Sequence, residues 1–278
     1  MSPISSSLFH FTKKKEAFWG ILKNLPRYSY SVEPIPGGAF PQTGDTKGEF
    51  IRTFEGNEYQ IIPMICFCDI PITRASVHSK KYGEYVFGFD KNTLVRLTSR
   101  IGSCSLNPLF YYNDWDAKFL ITKVFNNLSS LESKEKEYIS RFFGMFKPFS
   151  EEIDGKTYSY YDEREWRLLS NDNTGGEKDW IKFTKTLKGA QKIAKECNAN
   201  LYSKSNAVIG LNMPKSPSGI LAELVTHIIV KKECQISKVV NYILNEKNQI
   251  FYFKEVSLDT RRLLASRVMS MERIKKDF

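Results

Sequence analysis

The chain has 278 residues, 41% hydrophobic and 14% aromatic, enough for one large core, and a formal net charge of +10. It has no apolar run of about eighteen residues, and Met1-Ser2-Pro3-Ile4 lacks the basic-then-apolar layout of a secretory leader. A cytoplasmic protein without a membrane anchor is therefore expected. Five scattered cysteines speak against a disulfide framework, and the even spread of lysines speaks against a dedicated nucleic-acid arm.

In chain order, Leu8-Phe9-His10-Phe11-Thr12 reads as a strand with His10 and Thr12 on one face and Phe9 and Phe11 on the other. Lys14 to Leu25 reads as an amphipathic helix through Phe18, Ile21, Leu22 and Leu25, ended by Pro26. A Gly/Pro-rich insertion at about 34–60 is too long for an ordinary connection and has the composition of a lid or an inserted loop.

Ile61 to Pro71 is a buried central strand, a short helix runs through His78, and Tyr82 to Phe89 holds a turn and a strand. Leu109 to Tyr112 forms a further strand, Lys118 to Phe146 is mostly helical, and 171–176 is a loop. Leu224 to Val230 is a strand, Ser237 caps a helix to about Asn245, and Ile250 to Val256 closes the sheet. A basic C-terminal helix follows at about 260–276. Without repeats or a long linker after residue 60, residues 1–278 form a single α+β domain around a mixed or antiparallel sheet.

Common chemistries are missing from the pattern. There is no Walker loop, no Gly-rich dinucleotide turn and no Gly-x-Ser-x-Gly elbow. Cys66 and Cys68 share a strand face without a second ligand pair at zinc spacing, so they read as core residues and a metal site is not expected. His227 reads as structural, His78 on its helix fits a surface or hydrogen-bonded role as well as a catalytic one, and His10, beside Thr12 on one strand face, is the better candidate to fix a ligand.

The densest signal is Tyr160-Tyr161-Asp162-Glu163-Arg164-Glu165-Trp166-Arg167, with five charges in six consecutive positions. On a strand Glu163, Glu165 and Arg167 share one face, while Arg164 and Trp166 lie on the other and are structural. That charged face is either a solvated ladder or the wall of a site.

The series Phe9-His10-Phe11-Thr12, Pro63 to Pro71, His78, Tyr82-Gly83-Glu84-Tyr85 and Tyr161 to Arg167 resembles the bacterial AbiGi family over roughly residues 8 to 170. That family is linked to abortive infection of phage-infected cells and carries an antitoxin label, which implies a cognate toxin or antitoxin partner. The order of a His-x-Thr strand and a late Glu-x-Glu strand is also similar to the ADP-ribosyltransferase superfamily.

The second resemblance implies an ADP-ribosyltransferase-like fold with NAD as substrate and a nucleic-acid or protein acceptor. Glu165 would hold the nicotinamide-ribose 2′-hydroxyl and stabilise the oxocarbenium-like transition state, and Glu163 would help activate the acceptor. His10 would contact a ribose hydroxyl with Thr12 in support, Tyr82 or Tyr85 would stack on nicotinamide, and Arg167 would bind phosphate or merely neutralise its acidic neighbours. The alternative is a binding protein of the same fold without turnover, neutralising a toxin or sensing a phage component. A plain nucleic-acid-binding regulator ranks last, for want of a helix-turn-helix or an aromatic RNA-binding strand.

Overall fold

A computed structural model describes residues 5–34, 59–99, 104–112, 139, 141–153, 156–170, 181–203 and 217–278. The N-terminal half comprises β1 (Ser7–Thr12), α1 (Lys15–Asn24), β2 (Ser29–Pro34), β3 (Tyr59–Cys68), α2 (Ala75–Tyr82), β4 (Tyr85–Asp90), α3 (Lys91–Ser99), β5 (Cys104–Pro108) and β6 (Phe110–Tyr112). Then come β7 (Phe146–Pro148), β8 (Ser150–Ile153), β9 (Lys156–Ser159), β10 (Glu165–Ser170), β11 (Lys182–Thr184), α4 (Leu187–Ser203) and α5 (Pro217–Leu224). The chain finishes with β12 (Val225–Val230), α6 (Ile236–Leu244), α7 (Leu258–Ser266), β13 (Val268–Ser270) and α8 (Met271–Asp277).

Nine strands form one sheet in the order β13-β12-β4-β1-β3-β10-β5, with β2 and β11 also pairing with β3. Every pairing in it is antiparallel except β12 with β13, so the α+β class with a mixed, mostly antiparallel sheet holds. One face carries the main core, in which Leu8, Phe67, Phe87 and Leu168 pack against Phe18 and Leu22 of α1 and Val239 and Ile243 of α6. On the other face Phe9, Val86 and Ile229 pack against Ala75 of α2 and Met271 and Ile274 of α8.

The decisive feature is the edge of β3. Met64 pairs with Ser29 of β2 on one side and Leu169 of β10 on the other, and Cys68 pairs with Phe9 of β1 and Glu165 of β10. Strands β1 and β2 therefore share an edge of β3 and, among the described residues, leave Ile65, Cys66 and Phe67 without a strand partner there. Beyond Phe9, β1 pairs only with β4 as far as Thr12. The sheet is split between β1 and β2, and α1 joins the two lips of the split.

Three expectations at the C-terminal end are corrected. Ile250–Val256 is not a strand: Phe251 and Tyr252 have φ of 44° and 79°, with one bridge from Ile250 to Phe253. The N–H groups of Phe251 and Tyr252 donate to the Leu22 and Lys23 carbonyls at the end of α1, so the donors a ladder needs are spent capping a helix. The 260–276 segment is two helices separated by β13, because Ser270 caps α8 by accepting from the Arg273 N–H at 3.0 Å. Ser237 lies inside α6, which is entered through a 3-10 turn at Glu233–Gln235.

Elsewhere, Phe146 begins β7 rather than ending a helix. Most of the Gly/Pro-rich insertion (35–58), much of the 118–146 segment and the loop 171–176 lie outside the described residues.

Candidate functional site

The split opens into a cavity of about 760 Å³, lined from β1 by His10 and Thr12, from β2 by Ser29, Ser31 and Glu33, and from β3 by Cys66 and Cys68. Its floor holds Tyr82, Lys147, Glu163, Glu165 and Arg167, and Lys14 and Arg27 flank it from the two ends of α1. By strand alternation His10 and Glu165 belong to opposite faces, since Phe9, Cys68 and Glu165 are aligned in register. The gap between β1 and β2 lets both reach one space.

His10 illustrates what the split does to the backbone. With no strand opposite, the Cys66 carbonyl bonds to His10 Nδ1 at 2.8 Å. A carbonyl only accepts, so Nδ1 carries the proton. Burial lowers the imidazole pKa although that carbonyl works the other way. The ring is therefore neutral, with Nε2 as a bare acceptor. Its edge meets Phe67 at 5.8 Å between centroids, which fixes its orientation.

The charged motif starts its strand later than alternation suggests. Tyr161–Glu163 is a 3-10 turn, Arg164 has φ 42° in the left-handed region, and β10 begins at Glu165. Glu163 is thus not on the Glu165 strand face, contrary to the expectation from spacing. The two carboxylates are brought together by Lys147, whose Nζ donates to Glu163 Oε2 at 3.0 Å and to Glu165 Oε2 at 2.7 Å.

The remaining carboxylate oxygens are taken as well. Glu163 Oε1 accepts from Lys81 Nζ at 2.6 Å and from the Tyr82 hydroxyl. Glu165 Oε1 accepts from Arg167 Nε at 2.8 Å. Arg167, only 1% exposed, also donates from Nη1 to the Gly144 carbonyl and from Nη2 to Glu33 Oε2 at 2.9 Å. Three carboxylates and three cations form one balanced cluster, and such a buried set persists only when nearly every lone pair is matched.

Burial works to raise the Glu165 pKa, but Arg167 and Lys147 outweigh it and hold the group at about 2. For Glu163, Lys147 and the hydrogen bonds from Lys81 and Tyr82 overcome burial in the same way and lower its pKa. Both carboxylates are ionised at neutral pH. Burial first, then Glu165, pushes the Cys66 and Cys68 thiols up, so neither is a thiolate nucleophile. Among the described residues no three His, Cys, Asp or Glu side chains are grouped to hold a metal ion.

Most of the residues singled out from sequence meet here: His10, Thr12, Tyr82, Glu163, Glu165 and Arg167 all line the cavity. Tyr82 is set by Gly83, whose φ of 110° and approach to the Thr12 carbonyl, 2.3 Å from where a Cβ would stand, leave no room for a side chain. Tyr85 is elsewhere, buried against Phe18, with its hydroxyl accepting from Gln235 Nε2 at 3.0 Å. Of the two roles open to Arg167, the geometry favours neutralisation, since Glu165, Gly144 and Glu33 occupy its guanidinium.

His227 packs on Phe9 at 5.3 Å, as a structural histidine would, and Trp166 packs against the main core. Sequence reading passed over Lys81, Lys147 and Glu33. Lys147 had a faint signal, a lone cation between Phe146 and Pro148.

A model of the AbiGi family, described as "Putative abortive phage resistance protein AbiGi, antitoxin", matches residues 46–206, more than half of the chain. The chain belongs to the AbiGi family. A relative from Lactococcus lactis subsp. cremoris, named "Abortive phage resistance protein AbiGi", is 24% identical over 241 residues, covering 78% of this chain and 89% of its own length. No solved structure matches. The AbiGi match spans β3 to α4, and so takes in the split edge of β3 and Glu165 but not His10.

Proposed function

We propose that this AbiGi protein acts in phage defence as an NAD-using, ADP-ribosyltransferase-like protein whose acceptor is a nucleic acid or a protein. One observation carries the reading: His10 and Glu165, on opposite faces of the sheet by alternation, line the same cavity because the sheet is split. Its volume is of the size expected for small-molecule and cofactor sites.

In the proposed step the bond from ribose C1′ to the nicotinamide nitrogen breaks, its electron pair going to the ring. A bond forms from C1′ to the acceptor's oxygen or nitrogen, whose proton passes to solvent. Glu165, ionised throughout the working pH range, stabilises the positive charge developing at the ribose. A group held at about 2 is too weak a base to take a proton at neutral pH. By the same physics Glu163 orients the acceptor rather than deprotonating it. Neutral His10 offers Nε2 to a ribose hydroxyl, Tyr82 lies beside the nicotinamide, and Lys14 and Arg27 at the ends of α1 meet the phosphates.

A specific observation favours a second reading, a partner-binding protein without turnover. Both glutamates are fully engaged by cations of the chain itself, and the family description carries the word antitoxin, which implies a cognate toxin. Incubation with labelled NAD and mixed cellular DNA, RNA and protein separates the two. The enzymatic reading expects label on one class of acceptor and its loss in Glu165→Gln. Transfer that survives that substitution removes Glu165 from the role, and no NAD binding at millimolar concentration leaves the partner-binding reading.

A further inference from the structure

We infer that Lys147 is a displaceable latch: its ammonium occupies a cation subsite formed by Glu163 and Glu165 on the cavity floor, and a ligand bearing a positive ring takes its place. The argument turns on which oxygens are available. Oε1 of Glu165 is committed to Arg167, and Oε1 of Glu163 to Lys81 and Tyr82. The two Oε2 atoms meet Lys147. A ligand that approaches the two Oε2 atoms meets the Lys147 ammonium between them.

The geometry of the pair suits a cation. Two oxygens at 3.0 and 2.7 Å from one nitrogen lie within about 6 Å of each other, close enough for both to act on a single positive charge. Without Lys147, three carboxylates would face two cations, and the floor would carry a net negative charge.

Of the two cations bonded to Glu165, Lys147 is the better placed to move. Arg167 is clamped within a central strand of the large sheet, whereas Lys147 stands on the three-residue β7, which among the described residues pairs only with β6 in a separate two-stranded sheet. Its flexible stem lies against the cavity, and in its bound position the ammonium also sits 4.5 Å from the Tyr160 ring. The inference deepens the NAD reading, because the oxidised nicotinamide ring is a pyridinium cation; the subsite itself needs only the carboxylates.

The test uses the full chain as parent, Lys147→Met, Lys147→Gln, and Lys147→Met combined with Glu165→Gln. Binding is titrated with 1-methylnicotinamide (a pyridinium cation), with neutral nicotinamide, and with NAD. The latch predicts that Lys147→Met binds the cation roughly tenfold tighter than the parent, as expected for removing a competing charge at this distance. Nicotinamide should gain nothing, and the added Glu165→Gln should abolish the gain.

A Lys147→Met protein that melts like the parent but shows no cation gain, or gains equally for nicotinamide, overturns the latch. Lys147→Gln carries the comparison if Lys147→Met does not fold, and failure of both to fold makes Lys147 a structural brace and also overturns it. A cation gain without NAD binding upholds the latch and removes the NAD reading. NAD binding without the cation gain does the reverse.

Discussion

Two buried arginines show opposite ways of keeping a guanidinium away from water. Arg261, 0% exposed on α7, bonds only to backbone: the carbonyls of Ile243, Asn245, Glu246, Asn248, Lys254 and Val256 accept from it. It closes the C-terminal end of α6 and gathers the turn that follows, using neutral acceptors that need no counter-charge. Arg167, equally buried, is held by two carboxylates and one carbonyl. Burial lowers the Arg261 pKa, whereas the carboxylates around Arg167 overcome burial and raise its pKa. The first arrangement suffices to staple a fold. The second gathers charges beside a cavity, which structure alone does not require.

The largest expected effect is on the staple. Arg261→Met takes one donor away from each of six carbonyls and should cost at least about 4 kcal/mol in a denaturant titration, with no single substitution restoring it. Arg167→Met should cost about 3 to 5 kcal/mol by stranding Glu165 and Glu33, but adding Glu33→Gln should recover part of that loss. Absence of any recovery would erase the contrast between the two arginines.

Acid separates the regions next. Glu165 is lowered from 4.5 to about 2, so its contribution is complete above about pH 4.5 and disappears as pH falls through about 2. The parent should lose stability on the order of 3 kcal/mol over that window through this group, and Glu165→Gln should flatten that limb. The carbonyl cage of Arg261 has no acid limb of its own. The smallest effect is Tyr82→Phe, which removes one of three donors to Glu163 and should cost about 1 kcal/mol, read as a small drop in melting temperature.

Local pattern made parts of this legible. Phe18, Ile21 and Leu22 gave α1, the apolar run gave β3, and the spacing of His10 and Thr12 marked a polar strand. Spacing alone could not place Glu163, because the left-handed Arg164 breaks the alternation that would have aligned it with Glu165. Ile250 to Val256 has strand composition, yet its donors serve the end of α1, a partner more than two hundred residues away in sequence. The 17-residue α4 went unseen because it packs through small residues, Ala190 and Ala194, against Tyr30 and Ile61. Lys147 became visible only when β7 carried it across to β10.

The most direct measurement is a crystal structure of the full chain grown with NAD. The expected result is nicotinamide-ribose density in the split between β1 and β2, with His10 Nε2 and a Glu165 oxygen on ribose hydroxyls. Density for NAD elsewhere, or a cleft holding only water at saturating NAD, would contradict the account.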